Sequence, residues 1–181
     1  MFAVGDYVVH GTMGVCRVQD VSPLQFGQEG LYYTLQILYD RQNNRVYTPV
    51  AAVESGKVML RSLIPPAEAE RLLSSPQKPL EWVPDQRQRN EIYTRVLESG
   101  QTVEWVRLIT CLYRMQKKKI LENRTLSRQD RELLNLAEKL FYGEAAAALH
   151  STVEAVKERF MMLLNAGKRA RAYGTPSPDR M

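Results

Sequence analysis

The sequence predicts an α+β protein in which a small, bent β-sheet domain is followed by an all-α helical domain. Three observations predict it. The patterning changes near Pro65-Pro66, from short strand-like runs to helical stripes. The charge changes at the same place. Up to Ile64, Arg17, Arg41, Arg45, Lys57 and Arg61 are balanced by Asp6, Asp20, Glu29, Asp40 and Glu54, so the whole net charge of +5 lies beyond Ile64. The length of 181 residues accommodates two domains of about 65 and about 115 residues. The expected division is 1–64, 65–166 and a disordered basic tail over 167–181.

The first domain reads as five strands: Tyr7 to Val9, Val15 to Val21, Leu31 to Tyr39, Arg45 to Val50 and Lys57 to Leu60. Tyr33, Leu35, Ile37 and Tyr39 alternate with Thr34, Gln36 and Leu38, which places one apolar row on a core face. The polar run Asp40 to Asn44 then reverses the chain, and Val46, Thr48 and Val50 resume the alternation as the return strand of a hairpin. Gly11 and Gly14 bracket the first reversal, and Gly27 and Gly30 open the second loop. Five short strands in so few residues suit a strongly bent sheet or partly open barrel, Tudor-like or SH3-like, because a flat sheet of that size leaves one face uncovered.

Helices follow. A short one is expected around Ala67 to Leu73, started by Pro65-Pro66, and Ser74 to Pro79 reads as a linker. From Asp85 the stripe Ile92, Tyr93, Val96 and Leu97 runs to a stop at Ser99-Gly100. Trp105, Leu108, Ile109 and Leu112 form the next stripe, and Leu133, Leu136, Ala137 and Leu140 the one after it. Ser151-Thr152-Val153-Glu154 has the form of a capping box, with Ser151 as the cap of a last helix carrying Val156, Phe160 and Leu163. Four main helices in antiparallel packing are expected.

Composition narrows the function. A hydrophobic fraction of 44% excludes wholesale disorder, and no apolar run approaches the roughly 18 residues of a membrane span. No charged-then-apolar leader opens the chain, so neither secretion nor a membrane partner is expected. Cys16 and Cys111 fall in different domains and read as small buried residues rather than as a disulfide or a metal motif. His10 and His150 are the only histidines, and no nucleophile triad, HExxH or glycine-rich phosphate loop is present. Asp130, Glu132 and Glu138 sit among arginines, where ion pairing is the ordinary role. The expectation is a protein with no catalytic residues, cofactor, metal or small-molecule substrate.

The basic residues carry more. Arg114, Lys117, Lys118, Lys119, Arg124 and Arg128 stand against the single acid Glu122, and Arg131 comes next. Such a patch either neutralises phosphates, with salt-dependent and sequence-independent affinity, or is a solvated helix end whose cations complement the C-terminal dipole. Trp82 lies between Pro79 and Pro84, just before Arg87 and Arg89, on an irregular segment rather than in a stripe. An aromatic there fits an apolar wedge against a base step, with arginines holding the backbone. It equally fits a side chain gluing linker to helix. Trp105, in contrast, falls on a core stripe.

Several segments, in their order and spacing over about residues 2 to 165, resemble the CarD/CdnL family of bacterial RNA polymerase-binding regulators. They are Phe2 to Gly11 with Gly14-Val15, then Leu97-Glu98-Ser99-Gly100, Leu112-Tyr113-Arg114, Leu126-Ser127 and Ala137 to Ala145. The resemblance implies a Tudor-like domain that contacts the polymerase β subunit and a helical domain that binds promoter DNA at the upstream edge of the opened bubble. It implies that Trp82 is the wedge. Arg87, Arg89, Arg114, Lys117, Lys118, Arg128 and Arg131 would hold the DNA, and Arg45, Tyr47, Thr48 and Pro49 would form the polymerase-docking strand. The expected protein is a monomeric, cytoplasmic, nucleoid-associated transcription regulator that stabilises the open complex. Two other readings stay open: a free nucleic-acid-binding protein, and a protein adaptor without DNA contact.

Overall fold

The structure is a computed structural model that describes residues 1–25, 29–39 and 42–172. Strands β1 (Tyr7–His10), β2 (Gly14–Pro23), β3 (Leu31–Ile37) and β4 (Arg45–Pro49) are followed by a short helix α1 (Val50–Glu54) and strand β5 (Leu60–Ser62). Helices α2 (Pro66–Ser74), α3 (Gln86–Glu98), α4 (Thr102–Leu121), α5 (Arg128–Ala148) and α6 (Val153–Ala172) complete the chain. The β-then-α architecture and the four long helices agree with the expectation. No helix among the described residues is long and apolar enough to cross a membrane.

The sheet is antiparallel throughout, in the order β4-β3-β2-β1-β5. It is also strongly bent. Strands β1 and β4 stand three places apart, about 14 Å in a flat sheet, yet His10 Nε2 lies 2.9 Å from Thr48 Oγ1. A bulge between Val18 and Asp20 in β2 adds to the curl. The curled face encloses Val8, Cys16, Val18, Tyr33, Leu35 and Val50. Gly27 and the Asp40-Arg41 part of the expected reversal lie outside the described residues.

Every strand has at least one end shifted from the expectation, β3 stopping at Ile37 rather than Tyr39 and β2 spanning Gly14–Pro23, and two of the shifts have a clear local cause. Val50 ends no strand; it opens α1, because Pro49 holds the chain at φ −59° and the good helix former alanine follows twice. Strand β5 starts at Leu60 rather than Lys57. Gly56, at φ +72°, turns the chain, and Val58 N–H donates to Ala52 O, so pairing with β1 begins only at Leu60 opposite His10.

Helices α3, α5 and α6 start where a side chain satisfies a free backbone N–H, whereas α1, α2 and α4 start without such a cap. Asp85 caps α3 by accepting from Gln88 N–H, and Ser127 caps α5 by accepting from Asp130 N–H. Helix α6 is capped by Thr152, which accepts from Ala155 N–H, not by Ser151. Ser151 is already engaged, since its N–H closes the end of α5 on Ala146 O behind His150 at φ +51°. The α6 backbone continues through Ala172, past the expected boundary at Gly167, because Lys, Arg and Ala all favour helix. Residues 173–181 lie outside the described residues.

Sheet and helices share one core. Val9 and Val15, on the outer face of the sheet, belong to the same cluster as Trp105, Leu108, Leu140 and Phe141. Helix α5 is the element that reaches across, with Gly143 packed under the Tyr39 ring. A polar lock reinforces the seam. The fully buried Glu144 accepts from Arg61 Nη1 and Nη2, from Thr102 Oγ1 at 2.7 Å and from Ile64 N–H at 2.9 Å. Arg61 also donates to Gly100 O at 2.7 Å and lies 5.4 Å from the Trp105 ring centroid.

Candidate functional site

Trp82 sits on the extended segment between α2 and α3. The segment is pinned to α4 by Leu80 N–H donating to Arg107 O and Arg107 Nε donating to Lys78 O, and to α3 by Tyr93 OH donating to Glu81 O. The indole is half-buried. On one side the Arg89 guanidinium stacks on it, 4.1 Å from the ring centroid. It also borders a shallow cavity of about 200 Å3 lined by Pro79, Leu80, Cys111, Arg114, Met115 and Lys118. Trp82 is thus both glue to α3 and part of an open apolar surface with a cationic rim.

Arg89 is not a phosphate ligand. It is 4% exposed, and its Nε and Nη2 grip the two carboxylate oxygens of Asp130 at 2.8 and 2.9 Å. Its Nη1 donates to Val83 O and Pro84 O. The physical reason is its place in the stripe Arg89, Tyr93, Leu97, which is the buried face of α3. Burial alone would raise the Asp130 carboxyl, but hydrogen bonds from Arg89 and Ser127 outweigh it and hold it below the usual carboxylate range.

The other predicted cations divide by location. Arg114 and Lys118, one turn apart on α4, are exposed on the rim beside Trp82 and make no ion pair among the described residues. The starts of α3 and α5 lie side by side, joined by Arg89–Asp130 and by Gln86 Nε2 donating to Gln129 Oε1 at 3.0 Å. Arg87, Arg128 and Arg131 are carried on those first turns and are exposed. Arg87 pairs loosely with Glu91 at 3.5 Å and Arg128 with Glu132 at 2.8 Å, whereas Arg131 makes no ion pair among the described residues. Exposed pairs of this kind exchange readily for phosphate. Two helix N-termini at the same corner add positive potential. Lys117 points elsewhere: it stacks on Tyr113 at 4.3 Å and donates to Asn165 Oδ1 on α6.

At the sheet, β4 is a terminal strand. Arg45 and Tyr47 are exposed, Tyr47 by 52%, and Pro49 is half-buried. Thr48 is not a side-chain contact for a partner: it is 2% exposed and held by His10. His10 Nδ1 is buried without a hydrogen-bond partner, and burial pulls the imidazole below its usual range, only partly offset by a backbone hydrogen bond. His10 is therefore a neutral strut between β1 and β4. Strand β4 consequently offers a fixed main-chain edge flanked by Arg45 and Tyr47.

The sequence reading took Asp130 for an ion-paired acid and Cys111 for a buried residue, as both are, but placed neither of them, nor Met115, at this site. The signal for the first was the acid at the third position after Ser127, a cap pattern; the other two lie next to the stripe of α4 that ends at Leu112.

No curated protein matches the chain. Residues 2–64, which contain all five strands and α1, match the family described as the CarD-like/TRCF RID domain. The curled sheet with β4 at its edge is therefore similar to a CarD-like RNA polymerase-interacting domain, and the match, confined to these residues, supports polymerase binding by this part of the chain.

Proposed function

We propose that the protein docks on the RNA polymerase β subunit through the β4 edge and stabilises the promoter open complex by touching DNA at the upstream fork of the bubble with its helical part. The observation that carries this reading is the cavity beside Trp82, where an indole braced by Arg89 meets the unpaired cations Arg114 and Lys118. A stacked, immobilised aromatic gains contact where bases are already unstacked, and the cations supply general affinity for phosphate. Arg87, Arg128 and Arg131 extend the phosphate-facing surface along the starts of α3 and α5. In β4 the main chain would add to a strand of the partner, with Arg45 and Tyr47 as flanking contacts.

The mechanism is a population shift without catalysis. A ligand that binds the open complex better than the closed one by about 1.4 kcal/mol moves the equilibrium tenfold. Tethering to polymerase raises the local concentration, so weak intrinsic DNA binding suffices. The protein acts in this reading as a monomer, in the cytoplasm at the nucleoid, with promoter DNA and polymerase as its partners and no cofactor.

The test is the lifetime of open complexes formed by the cognate polymerase, with wild type, Trp82→Ala and Tyr47→Glu. Wild type should lengthen the lifetime and both variants should lose the effect. An unchanged lifetime with wild type would overturn the reading. A free DNA binder would keep its effect in Tyr47→Glu, and an adaptor without DNA contact would keep it in Arg114→Glu/Lys118→Glu.

A further inference from the structure

Helix α4 ends in an apolar pair that nothing among the described residues covers. Ile120 is 58% exposed and Leu121 83% exposed. The end is rigidly closed: Asn123 takes φ +56°, its N–H donates to Ile120 O, and Arg124 N–H donates to Lys119 O at 2.7 Å, the two bonds of a Schellman stop. In such a stop the accompanying side-chain contact joins the positions held here by Lys119 and Arg124, both charged, so closing the helix leaves Ile120 and Leu121 unused. Their surroundings are cationic. Lys118 and Lys119 occupy the last turn, Arg124 follows, and the acid between them, Glu122, reaches Arg124 only at 3.7 Å. Lys118 lies three residues before Leu121 and also lines the cavity beside Trp82.

An exposed leucine fixed at a helix end, with Lys118 and Lys119 in the same last turn and neither in an ion pair among the described residues, fits one kind of occupant, a polyanion with an apolar interior that opens at a distorted step. We infer that Ile120 and Leu121 form a second insertion point for DNA, beside the one at Trp82, entering a base step that the opened fork has already unstacked while Lys118 and Lys119 hold the flanking phosphates. A stack of bases offers apolar faces only where it is broken, and aliphatic side chains enter at such steps. Charge complementarity selects DNA over an apolar protein groove, because burying this patch against protein would strand the lysines. The inference rests on the DNA-contacting reading proposed above.

The experiment uses the full chain with its polymerase on a promoter, in two readouts. The first is open-complex lifetime for wild type, Leu121→Ser, Leu121→Met and Lys118→Ala over a range of salt. The second is photocrosslinking from a photoreactive residue placed at position 121. Leu121→Ser should shorten the lifetime about tenfold, the worth of a buried leucine, with the salt dependence unchanged. Leu121→Met should retain it, and Lys118→Ala should shallow the salt dependence. The crosslink should fall on a DNA strand at the fork. A wild-type lifetime in Leu121→Ser, or a crosslink to a polymerase subunit, with Lys118→Ala still impaired, would overturn the insertion and leave the DNA reading standing. A wild-type protein that neither prolongs the complex nor crosslinks to DNA would remove both.

Discussion

Arg89 does two things through one guanidinium: it neutralises Asp130 between α3 and α5, and it presents a flat cation to Trp82. Removing one partner of a buried ion pair leaves the other uncompensated, so Arg89→Ala should cost about 3–5 kcal/mol, measured by urea unfolding. Arg89→Lys should recover little of it, since an ammonium cannot grip both carboxylate oxygens. Acid sensitivity has a definite sign. Asp130 is held below its ordinary range in the fold, so its contribution is present above the unfolded carboxylate pKa of about 3.9 and is lost as pH falls through the lower folded value. His10 is also lowered, but as a base, so its contribution begins to fall once pH drops below about 6.5. Melting temperature followed from pH 7 to pH 3 should therefore fall in two stages, with His10→Gln removing the upper and Asp130→Asn the lower. At this scale Trp82 was legible, because prolines on both sides keep it off a stripe. Arg89 was not, because its role is decided by an acid 41 residues away that no local pattern links to it.

Elements were legible in proportion to their length. Helices α3, α4 and α5 repeat their apolar period often enough to be seen, and the caps Asp85 and Ser127 stand where the period begins. The brief α1 and β5 carry fewer than two periods each, so Pro49 and Gly56, rather than any pattern, set their ends. The start of α6 shows a further limit: two hydroxyls are adjacent, and which one caps depends on how α5 stops. Thr152→Ala should cost about 1 kcal/mol, while Ser151→Ala, which keeps the backbone bond to Ala146, should change stability by less than about 0.5 kcal/mol. Paired thermal or urea unfolding curves check both.

For the whole molecule, the change of charge and pattern near Pro65 marks a real change of architecture but not a break in packing. Val9, Val15 and the Arg61–Glu144 lock join the sheet to α4 and α5. The long-range pairing of Arg61 with a glutamate 83 residues later leaves no trace in either segment alone. Calorimetry should show one cooperative transition whose van't Hoff and calorimetric enthalpies agree. Glu144→Ala should lower stability by about 3–5 kcal/mol, because Arg61 loses its counter-charge at a buried seam.

On the proposed reading, the shared core and its lock make the protein a gauge. A flexible joint would let the DNA-facing end search for a fork wherever it lay, whereas a welded one sets the separation and the rotational phase between polymerase edge and indole. Each base pair advances the duplex by about 3.4 Å and turns it by roughly a tenth of a revolution. On the proposed reading, promoters whose bubble edge is displaced by even one step should respond less, and a point change that loosens the seam should broaden the set of promoters that respond while weakening each response.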